Sequence, residues 1–90
     1  MPNDYFTLEE AHSLLPKIRE LMSEARELKR RADAKIILGR VLDTPDPVAL
    51  AMGRGQVEFL LTETTRRLEA IRGLGCLVKD VDNGLVDFPS

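Results

Sequence analysis

Cysteine and histidine occur once each in these 90 residues, and tryptophan not at all. A lone Cys76 excludes an internal disulfide and fits a reducing compartment. One cysteine and one histidine leave no Cys/His spacing of the kind that holds zinc, and no nucleophile elbow or phosphate loop is present. Gly53-Arg54-Gly55-Gln56 lacks both the preceding strand and the third glycine of a dinucleotide fingerprint. Long apolar runs are missing too. None approaches the length that crosses a bilayer, so no membrane partner is expected. Met1 to Phe6 contain no basic region followed by an apolar run, so a signal peptide is not expected and a cytoplasmic location is. Excess charge of either sign is also absent. With 31% charged residues and a net charge of −2, the balance is too mild to argue for nucleic acid or an anionic membrane.

What the chain has is periodicity. Leu14, Leu21 and Leu28 repeat every seventh residue, and Ile18, Ala25 and Ala32 keep the same period four residues behind. Only a helix puts these on one stripe, because 3.6 residues per turn returns every third or fourth side chain to one face. A second ladder follows a Pro-rich break: Val57, Thr64 and Ile71, with Leu61 and Leu68. The pattern predicts a mainly α protein, a long antiparallel two-helix hairpin with a coiled-coil-like seam. A helix of roughly 30 residues is about 45 Å long, whereas a compact globule of this chain length has a radius of gyration near 12 Å. So elongated a hairpin buries its stripes poorly, and a second copy is expected against it.

Local signals place the ends of these elements within a single domain, 1–90. Thr7 and Glu10 form a capping box, with Phe6 placed to staple onto Ala11, so helix 1 is expected over about 8–42. Pro16 has no N–H for the carbonyl of His12. It predicts a kink, or else a short helix 8–14 followed by a new one. Asp43-Thr44-Pro45-Asp46-Pro47 is the clearest break, a turn at 43–47. Asp46 can cap helix 2 with Pro47 at its first position, giving a helix over about 47–74. Gly53 and Gly55 each weaken that helix by about 1 kcal/mol relative to alanine, so a loose loop to residue 56 is the alternative. Gly75 suits the left-handed position that ends it.

Residues 76–88 read as a short β-hairpin: Cys76 to Val81 and Leu85 to Phe88 flank Asp82-Asn83-Gly84. A two-residue loop would set Asp80 opposite Asp87, and facing carboxylates repel. Either the register differs, or the turn is longer, or a cation or basic partner sits between them.

Phe6-Thr7-Leu8-Glu9-Glu10-Ala11, Leu14-Leu15-Pro16, Gly75, Val78-Lys79-Asp80 and Gly84-Leu85-Val86-Asp87-Phe88-Pro89 together resemble a prokaryotic family, "domain of unknown function 2203". The tail motif carries most of the specificity. The resemblance implies a long helical hairpin followed by a strand-rich tail, and it brings no assigned activity. Fuller members are expected to continue past the tail motif into a segment with tryptophans and a histidine, which would make this chain a truncated form.

Four constellations bear on function. The apolar ladder residues Leu14, Ile18, Leu21, Leu28, Leu61, Leu68 and Ile71 are expected to pack against one another and against a second copy, as a homodimer or higher homo-oligomer. Asp80, Asp82 and Asp87 are candidates to hold a divalent metal ion, although Gly84 falls at the wrong position for a calcium loop. Glu9 and His12 form the Glu-x-x-His unit of di-iron bundles, while an exposed histidine near the kink is the plain alternative. Arg26, Lys29, Arg30, Arg31, Lys35 and Arg40 make the middle of the chain basic. No aromatic residue stands among them to stack on bases, and antiparallel pairing would bring Arg66 and Arg67 to Glu24 and Glu27. Nucleic acid is therefore not an expected partner. No cofactor and no catalytic group is expected. The favoured expectation is a non-catalytic, self-associating interaction module; a metal-binding protein using the hairpin acids or the Glu9/His12 pair is the alternative, and a nucleic-acid accessory protein acting through Arg26 to Lys35 the second.

Overall fold

The computed structural model describes residues 7–42 and 46–88. Two long helices, α1 (Leu8–Leu42) and α2 (Pro47–Gly73), pack antiparallel and are followed by two short strands, β1 (Leu77–Asp80) and β2 (Leu85–Asp87). A rise of about 1.5 Å per residue makes a 35-residue helix about 52 Å long. That length sets the shape: 56 × 24 × 17 Å, with a radius of gyration of 17.0 Å.

Capping chemistry fixes where each helix begins. Thr7 Oγ1 accepts the Glu10 N–H at 3.1 Å and donates to the Glu10 carboxylate at 3.1 Å, closing the box at the start of α1. The Phe6 staple lies outside the described residues, as do turn positions 43–45. α1 runs through Pro16 as one helix, so the two-helix alternative is not what forms. Asp46 is the N-cap of α2: its carboxylate accepts the Val48 N–H at 3.0 Å, and Pro47 follows where no N–H is needed. α2 is continuous from Pro47, which corrects the loose-loop alternative for residues up to 56. Gly53 and Gly55 cost helix stability without breaking a segment held against α1. Beyond α2, Gly75 takes a left-handed φ of 97° and turns the chain towards β1.

The seam between the helices is narrow. Ala25 and Ala32 on α1 are fully buried, as is Ile71 on α2, with Thr64 and Leu60 buried about two and three turns earlier on the same stripe. Alanine on the stripe lets the backbones approach. The buried Thr64 hydroxyl is satisfied within its own helix, donating to the Leu60 carbonyl at 2.8 Å.

The main core lies at the open end of the hairpin, termed the base. Ile18, Leu21, Met22, Ile71 and Cys76 form it, with Leu14, Leu68, Leu74, Val78, Val86 and Phe88 packed around them. The strands supply a third layer there. Val78 and Val86 pair across the sheet and turn inward, while Leu77, Lys79, Leu85 and Asp87 face out, the period-two alternation of a half-covered hairpin.

The strand register resolves the clash of carboxylates. Leu77 pairs with Asp87, Val78 with Val86 and Asp80 with Leu85, with an irregularity between Val78 and Asp80. The turn is the longer one, Val81 to Gly84, closed by the Gly84 N–H on the Val81 carbonyl at 3.1 Å. Asp80 organises it by accepting the backbone N–H groups of Asp82 (3.0 Å) and Asn83 (3.4 Å). Gly84 has a φ of 66°. A Cβ there would meet the Arg26 guanidinium at 3.6 Å and Met22 Cγ at 3.8 Å, so this turn rests directly on α1.

Candidate interaction surface

The residues proposed from sequence as ligands or contacts fall into separate places. Glu9 and His12 are exposed in the first turns of α1. Asp80 is taken by its own turn, with Asn83 Nδ2 donating to it at 2.6 Å. The Asn83 side chain, then the loop N–H groups and Lys29, hold its carboxyl below the usual range. Asp82 accepts from Lys29 Nζ at 2.8 Å, tying the β turn to α1, and Asp87 faces Lys79 at 3.5 Å. Each acid thus has a different partner. Among the described residues no group of three or more histidine, cysteine or acidic side chains could hold a metal ion.

The basic middle of α1 is largely matched by internal acids. Arg30 and Arg31 converge on Glu27 at 2.7 and 3.2 Å. The hydrogen bond from Arg30 first, helped by Arg31, pulls the Glu27 carboxyl down to about 2. Arg67 reaches Glu24 across the seam at 3.7 Å, as antiparallel pairing requires, and also holds Glu63 at 2.7 Å. Arg66 goes to Glu63 at 3.2 Å. Cys76 is fully buried, and burial pushes its thiol up, away from the thiolate a nucleophile needs.

Of the ladder residues, Ile18, Leu21 and Ile71 are buried, Leu14, Leu28 and Leu68 are half-buried, and Leu61 lies 42% exposed. Leu60 occupies the seam position instead. From Ile71, a step back of seven and then four residues lands on Thr64 and Leu60, whereas Leu61 sits off to one side. Met22 was not singled out from sequence. Its signal was its place four residues after Ile18.

The half of the hairpin nearest the α1–α2 connection, termed the tip, is different. Most of the large apolar side chains left in water are there: Ile37, Leu38, Val41, Val48, Leu50, Met52 and Phe59, with Val41 74% and Phe59 63% exposed. Their spacing explains why. Ala34, Ile37, Leu38 and Val41 form a second stripe on α1, and Val48, Met52, Gly55 and Phe59 one on α2, both turned away from the seam. Along one side of the helix pair, outside the seam, runs an open groove of about 810 Å³ with Ala34, Met52, Gly55, Phe59 and Leu60 along it and Arg30, Arg31 and Lys35 on its rim. Lys35 Nζ donates to Gln56 Oε1 at 3.0 Å, bridging the two helices there. Closer to the connection a gap of about 530 Å³ opens between Gly39 and Gly53. Such a surface offers apolar contact and a charged rim, not a cleft in which reactive groups converge.

Residues 4–90 match the family described as uncharacterized conserved protein (DUF2203). The chain belongs to the DUF2203 family. The match spans nearly all of the hairpin and tail, in line with the resemblance carried by the capping box and the Val78 to Phe88 motif. No curated protein and no solved structure matches this DUF2203 chain. No helix among its described residues is long and apolar enough to cross a membrane.

Proposed function

We propose that this DUF2203 protein is a non-catalytic interaction module that self-associates, covering the tip half of its hairpin with a second copy. The observation that carries this reading is the concentration of exposed apolar side chains between Ile37 and Phe59. Large apolar side chains left in water in this number on both helices mark a surface for association rather than the scattered exposure of an ordinary monomer. A helix pair with apolar stripes on its outward faces is half of a larger bundle. The buried, raised Cys76 thiol and the separately paired acids supply no obvious nucleophile or acid–base pair, which favours assembly over catalysis. Light scattering and sedimentation equilibrium at micromolar concentration test the proposal. The expected result is a mass twice that of the 10.1 kDa chain or a higher multiple. A single species of monomer mass across the accessible concentration range overturns it.

A further inference from the structure

The outward stripe of α2 has an internal symmetry. Val48, Met52 and Phe59 lie on one face at helical spacing, with Gly55 near their centre. The three large side chains are all exposed, and a Cβ built at Gly55 meets nothing within 4 Å. A glycine inside a helix lowers its stability relative to alanine, and no contact within the chain requires one here. Reversing the stripe about Gly55 brings Val48 level with Thr62 and Met52 to within one residue's rise of Phe59, close enough for a sulfur–aromatic contact. A two-fold interface needs this kind of self-complementarity, in which residue i meets j while j meets i.

We infer that two copies pack α2 against α2, antiparallel, crossing at Gly55. This rests on the self-association proposed above and adds its contact and orientation. Val48, Met52 and Phe59, with Leu38 from the flanking helix, expose on the order of 500 Å² of side chain, and the stems of Arg31 and Gln56 extend it towards the ~800 Å² each partner of a stable dimer buries. Glycine at the crossing lets the two backbones come close enough for the neighbouring side chains to interlock.

Cysteine cross-linking decides the matter. Position 55 of each copy lies at the two-fold axis, so Gly55→Cys is expected to give a covalent dimer rapidly under mild oxidation of the native protein at micromolar concentration. Arg54→Cys, one position off the axis, is the control and is expected to cross-link at least tenfold more slowly; Cys76 is buried and does not compete. Independently, Phe59→Asp is expected to weaken association at least tenfold while leaving the helical circular dichroism of the dilute chain unchanged. If light scattering shows a dimer but Gly55→Cys links no faster than Arg54→Cys, this contact is wrong and self-association stands. If the parent chain is a monomer throughout, both proposals fall.

Discussion

The base and the tip of the hairpin are built from the same two helices and meet opposite fates. At the base, Ile18, Leu21, Met22 and Ile71 are sealed by Cys76, Val78, Val86 and Phe88, so each apolar side chain has neighbours on every side. At the tip no element among the described residues plays the part of the β-hairpin, and Ile37, Val41, Val48 and Met52 remain in water. Two helices can share one seam, but they cannot cover each other's outer faces. A third layer, or a second copy, is what turns an amphipathic pair into a core. The base therefore carries most of the stability of the lone chain, and the tip is the surface on which the proposed second copy would dock.

The sharpest way to break that contrast is to cut the same kind of surface from each end. Ile71→Ala removes a side chain with no exposed surface and is expected to cost about 2–5 kcal/mol of unfolding free energy, read from urea denaturation. Phe59→Ala at the tip removes more atoms but is expected to stay within about 0.5 kcal/mol when measured dilute enough to be monomeric. Equal losses would mean that the tip is already packed within a single chain.

Glycines give the next largest contrast, with opposite signs. Gly75 holds a left-handed φ of 97°, so Gly75→Ala is expected to lower stability by about 1–2 kcal/mol. Gly53 lies within α2 with open space where its Cβ would be, so Gly53→Ala is expected to raise stability by up to about 1 kcal/mol in thermal melts of the dilute chain. A destabilising Gly53→Ala would show that the helices close on each other at the tip.

Smaller effects come from charge. Glu27 stands at about 2 when folded against 4.5 ordinarily, so the unfolded chain binds its proton first as acid is added. Its contribution to stability is complete above about pH 4.5 and drains away as the pH falls towards 2. Glu27→Gln is therefore expected to lower the melting temperature slightly at neutral pH and to flatten the acid limb, so that the two profiles converge as the pH falls towards 2. Smallest is the Lys29–Asp82 pair, which ties the strand turn to α1 and leaves Asp82 mostly in water. Asp82→Asn is expected to lower the melting temperature slightly at low salt, a difference that vanishes at high salt.

Much of this architecture was legible before any coordinates. The Thr7/Glu10 box, the Asp46-Pro47 start and Gly75 are local signals, each complete within a few residues, and they mark where the helices begin and end. The ladder located the seam, though a seven-residue template chose Leu61 where the neighbouring Leu60 is buried. Acidic clustering misled more. Asp80, Asp82 and Asp87 look like ligands when read in line, but their partners are a local turn, a lysine 53 residues away and a cross-strand lysine. Least visible was the uncovered tip. Apolar residues such as Val41 and Phe59 look the same in sequence whether or not a third layer reaches them, because the reach of the β-hairpin is a tertiary property.

The shape described above also bears on hydrodynamics. A radius of gyration of 17.0 Å is that of a compact globule of roughly 220 residues. A lone 90-residue hairpin should therefore diffuse slowly for its mass and leave a gel-filtration column early, near the position of a folded protein more than twice its size. On such a column an extended monomer passes for a compact dimer. The dimer inferred above overlaps only near the two tips, with its bases pointing apart, so it would be markedly longer than one 56 Å hairpin and should elute well ahead of the monomer.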